Sequence, residues 1–157
     1  MITYLGIGTH LGDLAANLNR AVALIAEQAG HLLACSSYVK SEPWGFHSEN
    51  IFLNAVVAID TPYTPHELLA ITQSIEKVMG RCHKSTNGLY TDRIIDIDIL
   101  LYEGLSVDTP DLKIPHPYIL ERRFVYEPLQ EIAPDIIDTI SSIACRNRIQ
   151  ENNSSVR

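Results

Sequence analysis

The succession of hydrophobic periods along this chain is what most restricts its fold. Ile2 to Gly8 is a short apolar run bounded by glycine, as a buried strand is. From Leu11 the spacing becomes helical: Leu11, Leu14, Leu18, Val22, Ile25 and Ala29 share a stripe, and Gly30 stands where a helix would stop. Leu32 to Val39 and Phe52 to Asp60 read as strands, the second rich in Val and Ala. The second helix has well-marked ends. Thr64 and Glu67 form a capping box, Pro65 takes the first helical position, and Gly80 closes the helix. Its apolar stripe is Leu68, Ile71, Ile75 and Val78, which leaves Gln73 and Glu76 on or beside the opposite flank. A last strand spans residues 93 to 102. The order β-α-β-β-α-β predicts a ferredoxin-like α+β sandwich. C-terminal additions follow, broken into short pieces by Pro115, Pro117, Pro128 and Pro134. A chain of 157 residues is expected to form one domain around one core, with residues 151–157 a loose tail.

The last strand carries the chemistry. Side chains alternate along a strand, so Ile95, Ile97, Ile99 and Leu101 point to one face, which is entirely apolar. Ile94, Asp96, Asp98, Leu100 and Tyr102 point to the other. Two steps of about 3.3–3.4 Å set the two aspartate Cα atoms roughly 7 Å apart on that face. Keeping two carboxylates ionised at a partly buried site is costly unless a cation lies between them. Mg²⁺ prefers such oxygens and brings phosphates with it. On its own the pair equally suits the solvated face of an ordinary half-exposed strand.

Composition narrows the field by exclusion. The formal net charge of −7 speaks against non-specific nucleic-acid binding, so any phosphate site must be local. Cys35, Cys82 and Cys145 are odd in number and widely spaced, which fits reduced thiols and neither a disulfide frame nor a zinc site. No basic run followed by an apolar one opens the chain, and no segment has the length of a membrane span. A soluble, cytoplasmic monomer is expected. The segments 41–50 and 81–92 are long and polar, and loops of that length commonly carry function.

Several pieces, in this order, resemble one family. They are Gly6-Ile7-Gly8-Thr9-His10-Leu11-Gly12-Asp13, Phe52-Leu53-Asn54-Ala55, Glu76-Lys77-Val78-Met79-Gly80-Arg81 and Asp92-Arg93-Ile94-Ile95-Asp96-Ile97-Asp98. Ile114-Pro115-His116-Pro117, Arg122-Arg123-Phe124 and Pro128-Leu129-Gln130-Glu131-Ile132-Ala133-Pro134 complete the set. Together they are similar to the 6-hydroxymethyl-7,8-dihydropterin pyrophosphokinases of folate synthesis. The resemblance implies transfer of pyrophosphate from ATP to the pterin hydroxymethyl group, with release of AMP and with two Mg²⁺ ions. ATP and the dihydropterin are then the partners, without nucleic acid or membrane.

Matched position by position, the resemblance makes Asp96 and Asp98 the metal ligands and Arg81 and Arg93 the catalytic arginines of the 81–92 loop. Guanidinium groups suit phosphate oxygens because they stay charged and bind in a bidentate manner. His116 and Arg122 match ATP-binding residues, as do Gln73 and Ile99. Glu76 matches a supporting glutamate, although a helix-surface charge explains it as well. For the pterin, Phe52 and Phe124 match the stacking aromatics, Asn54 matches an amide offering a donor and an acceptor, and Ser41 and Trp44 belong to the edge loop. Core packing is the commoner fate of a Phe, whereas a buried Asn needs partners. Some positions depart from the family pattern. Thr91-Asp92 stands for Gly-Pro, His10 for Asn, Phe52 for Tyr, Pro117 for Tyr, and His83 for a basic residue. An imidazole with an ordinary pKa of about 6.5 carries only part of a charge near neutral pH, so His83 receives no ATP contact. Two rival readings are a regulatory module of the same fold that binds an ion or a nucleotide, and a structural subunit without ligand.

Overall fold

Local signals place both early helices. In the computed structural model, which describes residues 1–42, 51–80 and 94–154, helix α2 (Pro65–Met79) begins at the capping box expected of Thr64 and Glu67. Thr64 Oγ1 accepts from the Glu67 amide at 3.3 Å, and the Glu67 carboxylate accepts from the Thr64 amide at 2.9 Å. Thr64→Ala is therefore expected to lower the unfolding free energy by about 1 kcal/mol. A denaturation midpoint identical to that of the parent chain would contradict this. Helix α1 (Leu14–Gln28) starts three residues later than the apolar stripe. Gly12 lies at φ 73°, and Asp13 caps the helix by accepting from the Ala16 amide at 3.1 Å, so Leu11 stays outside.

Strands β1 (Ile2–Thr9), β2 (His31–Cys35), β3 (Val39–Ser41), β4 (Phe52–Asp60) and β5 (Asp96–Tyr102) form one sheet. Its order is β2-β4-β1-β5, with every pairing antiparallel, and β3 continues along β4 beyond β2. The single strand expected over Leu32–Val39 is thus two. The break falls at Ser36, whose hydroxyl accepts from the Val56 amide at 2.9 Å in place of a ladder bond. Ser37 is then held away from the ladder by Glu131, which accepts from its amide and hydroxyl at 3.1 and 2.7 Å.

Helices α1 and α2 cover one face of the sheet. Leu18, Ala21 and Ile25 of α1 and Leu68, Ile75 and Met79 of α2 pack there against Leu5, Ile7, Leu53, Ala55, Val57, Ile59, Ile97 and Ile99. Each leucine, isoleucine, valine or methionine among them contributes roughly 1.5–3 kcal/mol by leaving water. The fully buried residues of α2 are Leu68, Thr72, Ile75 and Met79; of the expected stripe, Leu68 and Ile75 are buried, Ile71 packs against the core partly buried, and Val78 is 42% exposed. Thr72 is admitted because its hydroxyl donates to the Leu69 carbonyl at 3.0 Å.

A β-bulge changes the faces of β5. The register passes from Leu5↔Ile99 to Tyr4↔Leu101, so Leu100 is an extra residue. Beyond it the parity inverts. Tyr102 joins Ile95, Ile97 and Ile99 in the helix-covered core, and Leu101 joins Leu100 on the opposite face. There, Val56, Leu100 and Leu101 pack against Ile119, Leu129 of α3 (Arg123–Ile132) and Ile140 of α4 (Ile136–Ser154). A two-stranded ribbon, β6 (Val107–Asp108) with β7 (Lys113–Ile114), precedes these helices. Pro128 lies inside α3 without ending it, and α4 was not expected. That helix also takes in residues 151–154 of the expected tail.

Candidate active site

Helices α3 and α4 cover only part of the second face of the sheet, and the remainder is the floor of a cavity of about 490 Å³. Register builds that floor row by row. Gly8 of β1 pairs with Asn54 of β4 on one side and Asp96 of β5 on the other, and Gly6 pairs likewise with Val56 and Asp98. Neighbouring strands lie about 4.8 Å apart, so Asn54 and Asp96 face the same space from Cα atoms roughly 10 Å apart. The glycines put no side chain between them. Phe52 and Phe124 form walls, and Ser41, Arg122 and Tyr118 stand at the rim.

Asn54 is 5% exposed, and β3 holds it. Its Nδ2 donates to the Val39 carbonyl at 3.3 Å and to Ser41 Oγ at 2.7 Å. With both hydrogens so engaged, the group it turns over Gly8 is the acceptor Oδ1 alone. The ring of Phe52 is backed by His10, with centroids 4.6 Å apart and planes inclined by 32°. Arg122 stands at the N-cap position of α3 without a side-chain capping bond, and its guanidinium lies 4.9 Å from the centre of the Tyr118 ring. A cation on an aromatic face is held in place with its hydrogen-bonding edge still available.

Asp96 is half-buried and Asp98 exposed, both facing the cavity. Their hard carboxylate oxygens, above a glycine floor with room for water, fit Mg²⁺, which keeps several waters and takes one or two carboxylates plus substrate phosphates. No cluster of three His, Cys, Asp or Glu side chains exists among the described residues, so a cage built wholly of protein is not offered there. Glu76 serves this strand from outside. Its Oε1 accepts from the Ile97 amide at 3.3 Å, fixing the backbone between the two aspartates.

His116 is tied into the same region. Its amide donates to the Leu100 carbonyl at 2.9 Å, and its Nδ1 accepts from the Tyr118 amide at 3.2 Å. The neutral ring therefore carries its hydrogen on Nε2. Burial lowers its pKa below the ordinary value; the Asp98 charge opposes that shift and the Arg122 charge adds to it. Its ring also lies 5.7 Å from that of Tyr118.

Of the residues expected from sequence, the cavity brings together Ser41, Phe52, Asn54, Asp96, Asp98, Arg122 and Phe124. Gln73 is exposed on α2, and the Ile99 side chain belongs to the helix-covered core. Ile99 presents only main chain to the open edge of β5, the edge at which Glu76 meets Ile97 two residues earlier. Trp44, Arg81, His83, Thr91, Asp92 and Arg93 lie outside the described residues. Gly8 and Tyr118 were missed. Glycines two apart in a strand, Gly6 and Gly8, signal a close approach on one face, and that signal was available.

Fold and site together define an α+β protein with a carboxylate pair and a buried amide facing one aromatic-walled cavity. The sequence profile of the 7,8-dihydro-6-hydroxymethylpterin-pyrophosphokinase (HPPK) family matches residues 4–134, and the chain belongs to that family. A 2-amino-4-hydroxy-6-hydroxymethyldihydropteridine pyrophosphokinase of Porphyromonas gingivalis is 46% identical over 134 residues, which is 85% of this chain and 91% of that protein. The protein of the same description from Methylorubrum extorquens is 46% identical over 135 residues, 85% of this chain and 84% of that one. Among solved structures, Plasmodium falciparum HPPK-DHPS with SDX-DHP superposes with a TM-score of 0.64 at 17% identity. The match covers 85% of this chain and 40% of that longer one, and it bears on the fold alone.

Proposed function

We propose that this chain transfers pyrophosphate from ATP to the hydroxymethyl group of 6-hydroxymethyl-7,8-dihydropterin in folate synthesis, releasing AMP. The hydroxymethyl oxygen attacks the β-phosphorus and loses its proton. The bond from that phosphorus to the oxygen bridging to the α-phosphorus breaks, and AMP departs with that oxygen. Positioning and charge neutralisation do most of the work in such a displacement. The observation that carries the reading is the row Asn54, Gly8, Asp96, which sets an amide acceptor and a metal-type carboxylate on one face with a single strand between them.

In this reading Phe52 and Phe124 sandwich the pterin, and Asn54 with Ser41 and the segment through Trp44 meets its edge. Asp96 and Asp98 hold two Mg²⁺ ions, which when bound supply charge neutralisation on the phosphates. Arg122 and His116 reach the phosphates and ribose of ATP, Gln73 and the Ile99 main chain lie toward the adenine, and Glu76 supports the metal-bearing strand. Arg81 and Arg93 meet the transferring group. The strand order β2-β4-β1-β5 with its two crossover helices supports a ferredoxin-like sandwich. Among the described residues no helix is long and apolar enough to cross a membrane. A single-domain monomer acting in the cytoplasm completes the proposal.

The test is AMP formation from ATP and Mg²⁺, with and without the dihydropterin. AMP is expected only when both substrates are present, in step with the pyrophosphorylated pterin. Nucleotide binding with no AMP in either case would favour the regulatory module.

A further inference from the structure

We propose that Gly8 is a positioning residue for pterin recognition, because the space left by its missing Cβ is the space the Asn54 carboxamide oxygen occupies. This rests on the reaction proposed above. A Cβ at Gly8 would come within 2.8 Å of Asn54 Oδ1, while every other neighbour outside that amide lies at van der Waals distance or beyond. Gly8 does not sit in the left-handed region, so its backbone conformation is open to alanine. Among the described residues, Asn54 alone demands glycine here.

Nor can the amide yield cheaply. Swinging it away from Gly8 breaks the hydrogen bonds from Nδ2 to Val39 and Ser41. Exchanging its two ends would aim Oδ1 at the Val39 carbonyl oxygen, acceptor against acceptor, in a residue that is 5% exposed. The Gly8 contact and the β3 contacts therefore trap the amide in one orientation, with Oδ1 facing the cavity. The ligand group that such an oxygen selects is an N–H donor, which the 2-amino lactam edge of a pterin provides. Gly6 makes the contrast. A Cβ there would meet only the Leu100 side chain, at 3.4 Å, an ordinary contact with a flexible group.

Steady-state kinetics of Gly8→Ala decide the matter. The KM for the dihydropterin is expected to rise about 10- to 100-fold, as when a buried hydrogen-bonding group loses its partner, with the KM for ATP unchanged. Gly6→Ala should shift the pterin KM far less. Because Gly8 acts through Asn54, Gly8→Ala in an Asn54→Ala background should add no further loss beyond the worse single variant. A Gly8→Ala chain that melts below the assay temperature should regain its fold in that background, where the colliding oxygen is gone. A normal pterin KM in Gly8→Ala, multiplicative losses in the double variant, or an Asn54→Ala background that fails to restore a lost fold would each overturn the assignment. Failure of the reaction itself is distinguishable, since it shows in the parent chain as absence of pterin-dependent AMP.

Discussion

Asp96→Ala and Asp98→Ala are each expected to abolish AMP formation at saturating Mg²⁺ and ATP, while the chain melts at the parent temperature or above it. Both side chains point from β5 into the cavity, where their cross-strand neighbours are Gly8 and Gly6. Alanine there removes no buried apolar surface and opens no void in the core, which lies on the other face of the strand with Ile97 and Ile99. Two carboxylates about 7 Å apart at Cα repel one another, and removing one relieves that repulsion. The same removal takes away one of the two β5 carboxylates offered to Mg²⁺. A large loss of turnover with an intact melting transition separates a metal-binding pair from a packing pair. Near-parental turnover in either variant would end the metal assignment.

The features legible in the sequence are those that a few adjacent residues decide. The capping box of α2 depends on Thr64 and Glu67 only, and β4 was bounded correctly because Phe52–Asp60 is apolar nearly throughout and buried on both faces. What the sequence hid depends on partners distant in the chain. The bulge at Leu100 is set by how β5 pairs with β1, and it moves Leu101 and Tyr102 to faces that strict alternation denies them. Thr72 enters the core of α2 through a hydrogen bond that no hydropathy pattern records. In α4 the residues that join the core cluster are Ile136, Ile137 and Ile140 of the first turns, and no long apolar stripe announces the helix. The candidate site shows the same division. Residue types named Asp96, Asp98, Phe52, Phe124 and Asn54, whereas the orientation of the Asn54 amide rests on Ser41, Val39 and Gly8, which belong to two other strands.

Arg81→Ala and Arg93→Ala should lower turnover at saturation by about 10²–10³, roughly 3–4 kcal/mol, with a smaller effect on ATP affinity. Their described neighbours in the chain, Gly80 and Ile94, are anchored. Gly80, next to Arg81, ends α2 one turn after Glu76, and its amide donates to the Glu76 carbonyl at 2.8 Å. The carbonyl of Ile94, next to Arg93, accepts from Thr9 Oγ1 at 2.5 Å, so the chain is fixed to the end of β1. Ile94 is two residues from Asp96, at most about 7 Å of extended chain. A guanidinium fits this place because charge builds on the phosphoryl oxygens as the bond to the leaving AMP breaks, and Arg keeps its charge at any working pH. Its contribution is then largest in the transition state, which makes the loss appear in kcat before KM. Single-turnover and steady-state rates, set beside calorimetric ATP binding in the same variants, separate the two. Loss of ATP binding with normal turnover at saturation would reassign both arginines to ground-state binding and leave Arg122 as the cation that meets the transferring group.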